Sequence, residues 1–91
     1  MRVTIEYGTQ VRSASGLRAE TLEVETGTTA ATLLKQLVET RAAFLAPWFT
    51  DDYRPRPGLL VFINDQTPTS LETTHLRPGD QVALMTLVSG G

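Results

Sequence analysis

A single stretch of this chain carries the clear periodicity of an amphipathic helix. Ala30, Leu33, Leu34, Leu37 and Val38 recur three and four residues apart, leaving Thr32, Lys35, Gln36 and Glu39 for water. Gly27-Thr28-Thr29 offers a hydroxyl to cap it, so the helix is expected from about Thr29 to Arg41 or a little beyond, stopping before Pro47. Most of the remaining apolar pattern reads as strand, and one helix covers only one face of a sheet. The other face must stay bare.

The strands follow from alternation and from apolar runs. Val3, Ile5 and Tyr7 alternate with Arg2, Thr4 and Glu6, and Gly8 ends or bends that strand. Ser13-Ala14-Ser15-Gly16 has turn chemistry, after which Leu22 and Val24 alternate with Thr21, Glu23 and Glu25, so an N-terminal hairpin is expected. Residues 46–58, with Trp48, Phe49, Tyr53 and three prolines, read as a long loop holding anchored aromatics. Leu59-Leu60-Val61-Phe62-Ile63, closed by Asn64-Asp65, has the length and branching of a central strand. Residues 67–74 are expected to hold a short edge strand interrupted by Pro68. A Pro78-Gly79 turn then delivers residues 81–88, a second central strand. This order is α+β: a mixed sheet of four to five strands, first and last side by side in the middle, with one main helix packed across one face. That is the β-grasp plan.

Composition narrows the functions open to such a fold. The chain has no cysteine, which removes disulfides, thiolate zinc sites and cysteine nucleophiles, so its one small core must hold by packing. A net charge of −2 gives no electrostatic reason to bind nucleic acid or an anionic membrane; a basic partner surface fits better. The N-terminus runs into a strand pattern without the apolar stretch of a signal peptide, and no segment nears the ~20 apolar residues of a membrane span. A cytoplasmic protein is expected.

The end of the chain, LRPGDQVALMTLVSGG, is the most specific part: Gly79-Asp80-x-Val82 opens an apolar strand that runs almost to Gly90-Gly91. Two terminal glycines alone are weak, arising by chance in roughly one chain in two hundred at a usage of ~7%, and the bland alternative is a frayed tail. Joined to the β-grasp order and to VFIND on the third strand, they make the chain resemble the ubiquitin-like sulfur carriers. That family includes the small subunit of molybdopterin synthase and the carriers of the thiamine and cysteine pathways. The long loop before the third strand is more like the cysteine-pathway carriers. Ser89 stands where many members have Ala or Gly, and Thr86-Leu87 where several have prolines, differences that bear on partner choice.

The resemblance implies a domain over residues 1–88 and a flexible diglycine tail over 89–91. It implies no catalysis by the chain itself. An E1-like enzyme, using ATP, would adenylate the Gly91 carboxylate; a sulfurtransferase or sulfide would convert it to a thiocarboxylate; a sulfur-acceptor enzyme would take the sulfur. Ser89 and Gly90 would be the arm, and lacking a Cβ the two glycines can thread into a partner's active site. No cofactor, metal, nucleic acid or membrane is implied for the carrier.

Alternation on the last strand sets Val82 and Leu84 on one face and Ala83, Met85 and Leu87 on the other. Met85 and Leu87, with Leu60 and Phe62 of the neighbouring strand, are the expected partner-docking patch on the bare face, core filling being the alternative. Arg54-Pro55-Arg56-Pro57 reads as solvated loop, lacking a PxxP repeat. His75 has no companion suited to catalysis, and Asp51-Asp52 and Asp65 read as surface carboxylates. Lys35 is the sole lysine, which weakens a chain-building modifier but not single attachment through Gly91 to another protein. A protein modifier and a non-covalent β-grasp binding module therefore stand as alternatives to the carrier.

Overall fold

The computed structural model describes residues 1–87. Strand β1 (Arg2–Tyr7) buries Val3, Ile5 and Tyr7, and β2 (Ala19–Glu23) returns antiparallel beside it with Leu22 opposite Val3. Their connection is not the expected turn. Thr9–Ser15 forms a helix, α1, closed by Gly16 in the left-handed region (φ 72°). Only Val11 is buried on it, so its apolar pattern was too sparse to announce a helix.

The main helix, α2 (Ala30–Thr40), starts where its cap predicts: Thr32 N–H donates to Thr29 Oγ1 at 3.2 Å. A short α3 (Ala42–Leu45) and a 3₁₀ turn (Ala46–Trp48) follow, so the expected loop 46–58 begins helically. The rest is latched by Arg56, whose N–H donates to Trp48 O and whose Nε–H donates to Phe49 O, both at 2.9 Å, with Phe49 buried.

Strands β3 (Leu59–Ile63) and β4 (Gln81–Thr86) complete a sheet of order β2-β1-β4-β3, with β1 and β4 parallel and adjacent in the middle, a β-grasp arrangement. The Pro78-Gly79 turn launches β4: Gly79, at φ 84°, donates its N–H to Arg2 O at 2.8 Å. Two expectations fail together. The run Leu59–Ile63 lies at the sheet edge rather than in its centre, and residues 67–74 form no strand beside it. Pro68 removes a donor, and carbonyls that a strand would turn toward β3 go instead to the start of α2: Ala30 N–H bonds Thr74 O at 2.9 Å and Ala31 N–H bonds Leu71 O at 3.0 Å. The sheet has four strands among the described residues.

Ile5, Leu33, Leu34, Leu37, Leu45, Val82 and Leu84 are fully buried in one cluster between sheet and helices. At its margin Glu20 accepts bonds from Arg41 (Nε at 2.7 Å, and Nη2) and from the Tyr7 hydroxyl, while the Phe44 ring meets Tyr7 edge-on at 5.5 Å. The Arg41 guanidinium holds the Glu20 carboxyl below its ordinary range despite partial burial, and burial, then the Glu20 carboxylate, pushes the Tyr7 phenol up. Within residues 1–87, no helix is long and apolar enough to cross a membrane.

Candidate docking face and tail root

Register decides what the bare face carries. Leu60 pairs with Met85 and Phe62 with Ala83, so these four share the face away from α2, while Leu59, Val61 and Ile63 point into the core. Met85 is 37% exposed and Leu87 61%, the largest exposure of any apolar side chain of that size among the described residues; Leu60 and Phe62 are half-buried. A sequence pattern without register leaves the orientation of β3 open, and the ladder resolves it.

Gly8 seats Met85. A Cβ placed there would meet Met85 Cγ at 2.9 Å, so the glycine lets the thioether lie across the end of β1. Next to it is a hollow of about 420 Å³ lined in part by Glu6, Arg12, Arg18 and Met85, and neither arginine is in an ion pair among the described residues. Despite the negative net charge, the apolar patch therefore has a cationic border. On its other side, at the edge of β3, Pro55, Leu60, Phe62, Pro68 and Leu71 line an apolar hollow of about 210 Å³.

Leu87 N–H donates to Gly58 O at 2.8 Å, and Thr86 is the one buried polar residue among the described residues. The expected terminus and arm, Ser89, Gly90 and Gly91, and the expected domain boundary at Val88, lie outside the described residues. Two residues at the tail root had no signal in the sequence: Thr9 and Thr86, 77 positions apart, whose hydroxyl oxygens lie 2.6 Å apart. The other candidates have local roles. His75 Nδ1 sits 3.2 Å from Gly27 O, and Arg54 pairs with Glu72 at 2.9 Å. Among the described residues no three His, Cys, Asp or Glu side chains gather as a metal site.

The ThiS family profile matches residues 5–91, almost the whole chain. The chain belongs to the ThiS family. ThiS-family proteins are small ubiquitin-like sulfur carriers, and solved structures place this member's fold among them. Small archaeal modifier protein 1 (SAMP1) of Haloferax volcanii is 24% identical, with a TM-score of 0.86 and both chains covered in full. The Amycolatopsis orientalis BexX/CysO complex contains a chain 22% identical, TM-score 0.68, with 98% of this chain and 99% of that one covered. A third, from the complex of subunits 1 and 2 of the Helicobacter pylori molybdopterin-converting factor, is 18% identical with a TM-score of 0.66 and full coverage of both. Comparison with curated protein sequences returned no match. At these identities the structural likenesses establish the β-grasp fold of this ThiS-family chain.

Proposed function

We propose that this chain is a cytoplasmic sulfur carrier and not itself an enzyme. The Gly91 carboxylate attacks the α-phosphorus of ATP in the site of an E1-like partner, pyrophosphate leaves, and sulfide displaces AMP from the terminal carbonyl to give the thiocarboxylate. Where a sulfurtransferase's persulfide attacks instead, AMP leaves and an acyl disulfide forms, which a partner thiol then reduces, releasing the thiocarboxylate and forming a disulfide on the partner. The thiocarboxylate then gives up its sulfur in an acceptor enzyme of a biosynthetic pathway. Cysteine, molybdopterin, thiamine and secondary-metabolite pathways all fit that chemistry.

One observation carries the reading beyond family membership. The segment that precedes the diglycine in sequence supplies Met85, from β4, to an uncovered apolar face shared with Leu60 and Phe62, and exposes Leu87 just beyond the strand. Docking side chains only a few residues ahead of the reactive terminus in sequence are what a partner needs in order to grip the body and thread the tail. Solved complexes of similar chains, with BexX and between subunits 1 and 2 of the molybdopterin-converting factor, support protein partners in general.

The test is the intact mass after incubation with activating enzymes, ATP and a sulfide source. A gain equal to replacing one oxygen by sulfur, lost on deleting Gly91, is the expected result; an unchanged mass with every activating enzyme tried overturns the reading. The likeness to SAMP1, a modifier by name, favours a second reading in which Gly91 forms an amide with a target lysine. Its product is a larger covalent conjugate, which the same mass measurement separates from a thiocarboxylate.

A further inference from the structure

Strand β1 runs out before β4 does. Thr4 N–H bonds Asp80 O at 3.0 Å, and the last backbone rung between the two strands joins Gly8 N–H to Leu84 O at 2.9 Å. In a continuing parallel ladder the next rung would join Thr86 N–H to Gly8 O. Here Gly8 O turns instead to the Arg12 N–H of α1, at 3.4 Å, which leaves the Thr86 amide without a backbone partner on that side. The Thr9 side chain takes the vacant place. Its Oγ1 accepts from Thr86 N–H at 2.8 Å and lies 3.2 Å from Thr86 O and 2.6 Å from Thr86 Oγ1, which in turn accepts from Gln10 N–H at 3.2 Å.

Thr9 makes these contacts at φ 51°, a region that disfavours a β-branched residue and that glycine enters freely. A glycine would suit the backbone better, so what threonine brings is its hydroxyl. With Leu87 held from the opposite edge by Gly58, β4 stays paired on both sides up to the residues from which the tail departs.

We propose that Thr9 is a positioning residue for the reactive terminus: with Thr86 it forms a hydroxyl clasp that fixes the direction in which the chain leaves β4 toward Gly91. This rests on the reading of Gly91 as the adenylated group. Freeing the last residues of β4 adds rotatable bonds between the docking face and the carboxylate, so a smaller fraction of docked complexes presents the terminus to ATP. Met85 keeps its pairing with Leu60 and Leu87 its bond to Gly58, so the docking side chains retain their anchors on the β3 side. Loss of the clasp therefore acts on turnover and not on encounter.

The experiment compares Thr9→Gly, Thr9→Val and Thr9→Ser with wild type in adenylation by the activating enzyme, alongside amide hydrogen exchange at Thr86. Thr9→Gly removes the hydroxyl and the backbone strain together, so it keeps the test alive if Thr9→Val does not fold. The Gly and Val variants are expected to lower kcat about tenfold, with KM for the carrier within about twofold, and to expose the Thr86 amide to exchange. Thr9→Ser, which keeps the acceptor, restores kcat. A Thr9→Gly variant with wild-type kcat, or a Thr9→Ser variant as slow as Thr9→Gly, overturns the clasp while leaving the carrier reading intact. Absence of adenylation in the wild type overturns the carrier reading and, with it, this role for Thr9.

Discussion

The two faces of the sheet are made by alternate residues of the same strands, yet they differ in what explains them. Under α2 the sheet is apolar and buried, with Val3 and Ile5 on β1, Val82 and Leu84 on β4, Val61 and Ile63 on β3, and polar side chains enter only at its margins, at Glu20 and Thr86. On the bare face composition changes from strand to strand. Its β2–β1 half carries Arg2 opposite Glu23, Thr4 opposite Thr21 and Glu6 opposite Ala19, while its β4–β3 half carries Met85 opposite Leu60 and Ala83 opposite Phe62. Folding accounts for the inner face. It does not account for an outer face that is polar on two strands and apolar on the two nearest the tail, since folding gains nothing from large apolar side chains left in water. Under the proposed function, that half is the one a partner covers.

The sharpest way to break this contrast is to make large changes on each face and ask which property falls. Leu84→Ala empties a fully buried site and is expected to cost about 2–5 kcal/mol, lowering Tm by ~10 °C or more in a chain of this size. Chemical denaturation and calorimetry measure it; a loss below about 1 kcal/mol would mean the inner face is less tightly packed than its burial implies. One residue further along, but on the opposite face, Met85→Asp is expected to change stability by less than about 1 kcal/mol and to weaken binding to the activating enzyme at least ~30-fold. Titration calorimetry with the enzyme decides. If Met85→Asp unfolds the chain as Leu84→Ala weakens it, the outer patch is core and not a docking surface.

A third effect belongs to the margin where β1, β2 and α2 are tied. Hydrogen bonding from Arg41 keeps the Glu20 carboxyl ionised below its ordinary value of 4.5, so its folded-state pKa is the lower one. The stability it adds is complete above that value and is lost as pH falls through the lowered folded pKa. Glu20→Gln is therefore expected to cost about 1–2 kcal/mol near neutrality, with the gap to wild type closing as pH falls below the ordinary carboxyl value of 4.5. Denaturant midpoints across that range check it. A gap that stays constant with pH would mean the carboxylate's charge contributes nothing and only the shape of the side chain matters.

The parts of this fold that sequence pattern reveals are those whose signals are local. The stripe Ala30, Leu33, Leu34, Leu37 and Val38 with a threonine before it describes α2 from its own residues, and alternation in β1 and β4 does the same. What escapes is set by neighbours. Leu59–Ile63 is apolar on both sides because one side meets the core and the other the patch, a pattern that a doubly covered central strand would also show. Residues 67–74 have turn and strand residues mixed, and it is the unsatisfied amides opening α2 that draw their carbonyls away from β3. Helix α1 has one buried residue and depends on contact with the end of β4. Met85 and Leu87 could be set on the bare face by period-two counting and Leu60 and Phe62 only through their ladder with β4, whereas Thr9 and Thr86 meet only because the parallel pairing of β1 and β4 brings distant segments together.

The smallest expected effect sharpens where the docking half ends. Arg2 and Glu23 face each other on the polar half, 2.9 Å apart, with side chains 79% and 67% exposed. Water and salt screen a pair so open, and its side chains give up rotamer freedom to meet, so the attraction adds almost nothing to folding. Arg2→Ala is expected to leave the denaturation midpoint unchanged and, if docking is confined to β4 and β3, to leave binding to the activating enzyme unchanged as well. Measured beside Met85→Asp in the same titration, equal losses for the two variants would extend the contact across the whole bare face, and the chemical divide between its halves would then have some other origin.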